Sequence, residues 1–85
     1  MTIFWTEFAQ EKLRAIFEFY YYKTRNTAIA EKVVNEIVDY TINLEKNPEI
    51  GQIERLLAHQ PQNFRYLICS NYKIIYWINK PKNRI

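Results

Sequence analysis

Glycine is almost missing from this 85-residue chain, and with Gly51 alone it cannot build a glycine-rich loop to cradle phosphates. One cysteine, Cys69, and one histidine, His59, fall short of a zinc site and exclude an internal disulfide. The single thiol fits a reducing compartment. No apolar run approaches the roughly 18 residues of a transmembrane helix. The opening MTIFWTEFAQ also lacks the basic-then-apolar order of a signal peptide. A cytoplasmic protein without a membrane, metal or cofactor is the expectation. Carboxylates run out early as well: after Glu54 there is none.

That last absence gives the charge a direction. Residues 1–50 carry six Lys/Arg against eight Asp/Glu, a net of −2, and residues 51–85 carry six against one, a net of +5. Such a split reads either as a grip on a polyanion (nucleic acid or an acidic protein segment) or as a solvated basic face. Apolar residues make up 48% of the chain and aromatics 16%, which excludes a disordered segment. A chain this short buries only about 60–65% of its unfolded surface, so partners often complete its core.

One domain over residues 1–85 is expected, of α+β class. Thr2–Thr6 (TIFWT) reads as a short first strand within residues 1–6. A helical hairpin follows over 7–46. Thr6 caps its first helix and Ala9, Leu13, Ile16, Phe17 and Tyr20 line one face. Asn26 or Thr27 caps the second, whose stripe is Ala30, Val33, Ile37, Thr41 and Leu44. Lys46, a left-handed Asn47 and Pro48 mark its exit. From Gln52 the period changes to that of strands: Gln52–Leu57, Asn63–Ser70 and Tyr72–Ile78, with Asn71 in a tight hairpin turn. Helices followed by hairpin-linked strands imply an antiparallel sheet with the helices on one face.

Two sets of residues stand out as candidate sites. Arg55, Arg65, Lys73, Lys80, Lys82 and Arg84 interleave with Tyr66, Tyr72, Tyr76 and Trp77, a pattern by which sheets hold single-stranded nucleic acid. The plainer reading makes the rings core and the cations edge protection. Alternation puts Tyr72, Ile74, Tyr76 and Ile78 on one side, toward the helices, and leaves Lys73 and Trp77 on the outer one. In the first helix, Phe19 and Tyr22 fall opposite the core stripe. They read as a surface for a partner or a second copy, or as contacts to the neighbouring helix. Cys69 reads as a small core residue, and the scattered carboxylates give no pair for hydrolysis.

The order of these pieces resembles the RelE/ParE superfamily of type II toxin–antitoxin toxins over essentially the whole chain. Its carriers are a strand ending FWT, the exit LEKNPEIG (Leu44–Gly51) and the hairpin RYLICSNYKIIYWI (Arg65–Ile78). The resemblance implies a toxin of a plasmid-stabilisation type, held inactive by a cognate antitoxin. ParE-like members inhibit DNA gyrase, and RelE-like members cut mRNA on the ribosome. Where RelE-like toxins carry a catalytic Arg this chain has Ile68, which favours the ParE-like, non-enzymatic branch. A metal-independent endoribonuclease, with Arg65, Lys73, Glu54 and His59 as its groups, is the alternative. An inactive remnant that still binds antitoxin is another. The family also continues into a final strand that Arg84 and Ile85 would only begin. The expectation is a last strand cut short, leaving Tyr72–Ile78 open to an antitoxin strand or a second copy; a frayed tail is the competing expectation.

Overall fold

The computed structural model describes residues 1–85. Helix α1 spans Glu7–Thr24 and begins as its sequence requires. Thr6 is extended and its hydroxyl accepts the Ala9 N–H at 3.1 Å, while Glu7 sits in the positive first turn. The five stripe positions are all half-buried, but no α1 residue is fully buried. The helix ends at Arg25, which takes the left-handed conformation (φ 55°) and donates its N–H to the Tyr21 carbonyl at 2.7 Å. Asn26 then caps α2 (Thr27–Lys46) by accepting the Ile29 N–H at 3.2 Å. Ala30, Ile37, Thr41 and Leu44 of the α2 stripe are buried.

The exit of α2 differs from expectation. Positive φ occurs only at Arg25, Asn63, Ser70 and Asn83, so Asn47 is not left-handed. Pro48 supplies the reason: its ring pushes the preceding residue toward extended backbone. A turn follows, with the Ile50 N–H donating to the Asn47 carbonyl at 3.2 Å.

Three antiparallel strands make the sheet, in the order β1 (Gln52–Ile53), β2 (Arg65–Cys69), β3 (Tyr72–Tyr76). Gln52 lies opposite Tyr66, and β2 meets β3 from Arg65↔Tyr76 to Cys69↔Tyr72. The first of these strands is much shorter than its sequence promised. After Glu54 donates its N–H to the Phe64 carbonyl (2.8 Å), its own carboxylate accepts the Leu56 N–H at 3.2 Å and starts a 3₁₀ turn over Arg55–Leu57. The second starts late because Asn63 is left-handed (φ 57°), and the third ends at Tyr76 rather than Ile78. In the hairpin it is Ser70 (φ 54°), not Asn71, that takes positive φ.

The expected N-terminal strand is not formed as an element. Thr2 makes one parallel bridge to Arg84, with the Ile85 N–H donating to Thr2 and the Phe4 N–H to Ile85, both at 2.8 Å. A single bridge of this kind does not make a ladder. The carboxyl end is not frayed either. A 3₁₀ turn over Lys80–Lys82 folds it back, and Arg84 bridges Asn79 antiparallel.

The chain divides into two compact units, Trp5–Tyr40 and Met1–Phe4 with Thr41–Ile85. The second has its own core, in which Leu44, Tyr76 and Ile85 are buried and Ile3, Leu67 and Ile78 pack on them. Burying a side chain the size of Leu44 is worth about 1.5–3 kcal/mol.

Candidate functional site

Strand register decides which groups can act together. Residues directly opposite in an antiparallel pair share a face, and neighbours along a strand do not. Gln52, Tyr66, Ile68, Lys73 and Ile75 therefore lie on one face, and Arg65, Leu67, Ile74 and Tyr76 on the other. Arg65 and Lys73, the two cations of the nuclease alternative, are on opposite sides of the sheet.

On its side, Arg65 faces Tyr76 across the β2–β3 ladder and both side chains hold the turn after α2. The Arg65 Nη1 donates to the carbonyls of Gly51 (2.9 Å) and Glu49 (3.2 Å). The Tyr76 hydroxyl donates to the Pro48 carbonyl at 2.7 Å and accepts the Gly51 N–H at 2.9 Å. Burial pushes that hydroxyl's pKa up, against a smaller opposing pull from the Gly51 N–H. Gly51 is required here for space. A Cβ on it would stand 2.5 Å from the Tyr76 Oη and 2.7 Å from the Tyr66 carbonyl oxygen. The Pro-x-x-Gly exit and the Arg…Tyr hairpin pattern are thus two halves of one clamp. Tyr76 was expected among the rings interleaved with the cations; its role in holding this turn was not, although the lone glycine beside a Pro-containing turn was a usable signal.

The opposite face carries the electrostatic feature of the sheet. Glu54 is only 4% exposed. One of its oxygens accepts the Leu56 N–H and the other meets the Lys73 ammonium in an ion pair. The bond from Lys73 is the main reason that its carboxyl sits below the usual carboxylate range; burial opposes this, and the Leu56 N–H adds to it. Lys73 also lies over the Tyr66 ring at 4.3 Å, and the Tyr66 hydroxyl donates to Gln52 at 3.0 Å. A carboxylate held this way is a weaker proton acceptor than an ordinary one, so Glu54 is poorly suited to be a general base. His59 is exposed after the 3₁₀ turn, with its ring next to the Gln60 amide at 3.1 Å. Trp77 is half-buried edge-on against Phe64 (5.5 Å between centroids), while Ile68 and Ile75 are the exposed apolar groups of this face.

The remaining cations are distributed rather than gathered. Arg55 is exposed in its 3₁₀ turn, Lys80 and Lys82 are exposed in theirs, and Arg84 lies 4.0 Å over the Phe4 ring. Within Trp5–Tyr40, Phe19 (56% exposed) and Tyr22 (62%) face solvent together with Phe8. Lys12, Lys23 and Arg25 sit over the rings of Phe8, Phe19 and Tyr22 at 5.2, 5.4 and 5.7 Å. This makes an outward stripe of rings edged with positive charge. No group of three or more His, Cys, Asp or Glu side chains is placed to hold a metal, and no helix is long and apolar enough to cross a membrane.

Comparison with known families gives a match over nearly the whole chain. The model of the family described as ParE toxin of type II toxin–antitoxin system, parDE, matches residues 3–85. Neither a search of curated proteins nor one of solved structures finds a match.

Proposed function

The chain belongs to the ParE toxin family of type II toxin–antitoxin systems, and from that membership we propose that it arrests growth by binding and inhibiting DNA gyrase. The family also implies a cognate antitoxin that neutralises it. A binding mode without catalysis is supported above all by one observation: the register sets Arg65 and Lys73 on opposite faces. A metal-free ribonuclease needs a base, an acid and phosphate-binding cations around one phosphate. Here Glu54 is tied to Lys73, Arg65 is tied to the turn carbonyls, and Ile68 stands where RelE-like toxins place an arginine.

What remains free suits the grip of a macromolecule. The ring-and-cation stripe of Phe19 and Tyr22 offers an apolar contact surface for the antitoxin or for the target. Arg55, Lys80, Lys82 and Arg84 supply positive potential to attract an acidic partner. Inducing the chain without its antitoxin in a bacterial host is expected to stop growth while ribosome toeprints on translated mRNA stay free of new cuts. Cuts that depend on the chain would favour the nuclease, and unimpeded growth would favour an inactive remnant.

A further inference from the structure

The two units of the chain differ in charge. Trp5–Tyr40 holds five Lys/Arg against six Asp/Glu, a net of −1, while Met1–Phe4 with Thr41–Ile85 holds seven against three, a net of +4. Not all seven cations are available. Arg65 is spent on the Gly51 and Glu49 carbonyls, and Lys73 is paired with buried Glu54. Lys46 and Arg55 stand apart, at the end of α2 and in the 3₁₀ turn after β1. The other three, Lys80, Lys82 and Arg84, lie within one turn with no carboxylate side chain between them.

That turn is held in shape. The Asn79 N–H donates to the Arg84 carbonyl at 2.8 Å, the Arg84 N–H to Asn79 at 3.2 Å and the Asn83 N–H to Lys80 at 3.0 Å. Asn83 takes positive φ (51°), Pro81 fixes the backbone between the two lysines, and Arg84 lies 4.0 Å over the Phe4 ring. Lys80 and Lys82 are exposed. Three cations on a preformed backbone lose little freedom on meeting an anion.

We propose that the turn Asn79–Arg84 is a docking site for the phosphodiester backbone of duplex DNA. Such a site deepens the gyrase reading and rests on it for its biological setting, because DNA is the substrate gyrase holds. A single strand is disfavoured because the rings it would stack on are taken. Lys73 lies over Tyr66, Trp77 is edge-on to Phe64, Tyr76 is buried and Arg84 covers one face of Phe4. What the turn offers is charge, which positions a protein on the backbone and reads no sequence. Charge density selects DNA over an acidic protein segment. Duplex DNA carries one charge per about 1.7 Å of axis, whereas an extended chain of carboxylates has at most one per about 3.3 Å.

The test is fluorescence anisotropy of the full chain with a labelled duplex of mixed sequence, about 20 base pairs long or two helical turns. Three phosphate contacts predict a slope of log affinity against log salt of about −2.7, a loss of about 40-fold between about 50 and 200 mM salt. Lys80→Gln and Lys82→Gln should each make the slope shallower by about 0.9, and the double variant should bind at least ~10-fold more weakly at the lower salt. Both side chains are exposed, so the fold is not at stake. Lys32→Gln removes the same charge from an exposed position of α2 and should change neither slope nor affinity. A slope near zero, an equal loss from Lys32→Gln, or unchanged binding by the double variant overturns the proposal. So does displacement of the duplex by poly-glutamate at equal charge concentration, which would make an acidic protein the partner. No gyrase is present, so failure here leaves gyrase inhibition standing, and a chain that spares gyrase is still scored for DNA.

Discussion

Replacing Gly51 by alanine tests the clamp between the turn after α2 and the sheet. The added Cβ would lie 2.5 Å from the Tyr76 Oη, 2.7 Å from Tyr76 Cε1 and 2.7 Å from the Tyr66 carbonyl oxygen. The tyrosine can swing aside only by giving up its bonds to Pro48 and Gly51. The Tyr66 oxygen cannot yield, because it belongs to the central strand. Overpacking of this kind costs about 1–3 kcal/mol, and a stranded partner of the tyrosine adds about 1–3 kcal/mol. The stiffer unfolded chain returns about 0.4–1 kcal/mol. A net loss of about 2–4 kcal/mol is therefore expected in urea unfolding followed by circular dichroism. Because two of the three close contacts survive removal of the hydroxyl, adding Tyr76→Phe should not rescue Gly51→Ala. A Gly51→Ala protein within about 0.5 kcal/mol of the parent, the range of ordinary surface changes, would refute this reasoning, as would rescue by the second substitution.

Tyr76→Phe alone should cost about 1–3 kcal/mol in the same assay, because it leaves the Gly51 N–H and the Pro48 carbonyl without their partner. Asn26→Ala should cost about 1 kcal/mol by uncapping α2. Ser70→Gly, at a residue held at φ 54°, should be neutral or stabilising by up to about 1 kcal/mol. The Glu54 carboxyl is lowered from its ordinary value of 4.5, so its stabilising contribution is complete above that value and fades as pH falls through the lower folded one. Glu54→Gln should therefore flatten the acid limb of the stability–pH curve; an unchanged limb would argue against the ion pair with Lys73.

Local rules carried much of the fold. The helical stripes, the Thr6 and Asn26 caps and the β2–β3 hairpin follow from side-chain period and capping chemistry that adjacent residues decide. What failed needed information from distant or competing groups. Gln52–Leu57 has strand composition, yet the Glu54 carboxylate captures a neighbouring N–H and turns the chain after two residues. Thr2–Thr6 has strand composition too, but a strand needs a ladder, and Thr2 makes a single bridge to a segment distant in sequence. Asn47 is a fair left-handed residue whose freedom Pro48 removes.

The site was less legible for a related reason. Sequence counted Arg65 and Lys73 as two like cations, while their separation onto opposite faces depends on the hairpin register. The attraction of Lys73 to Glu54 spans 19 positions and has no local mark in the sequence. Phe19 and Tyr22, by contrast, were placed outward by helical period alone and are exposed.

A supercoiling assay tests most directly whether the protein works by gripping its target rather than cutting RNA. Purified chain at micromolar concentration is mixed with gyrase, ATP and relaxed plasmid, and the products are separated on a gel. The account predicts loss of supercoiling that the antitoxin reverses. Full supercoiling at that concentration, from a chain that still arrests growth, would contradict it.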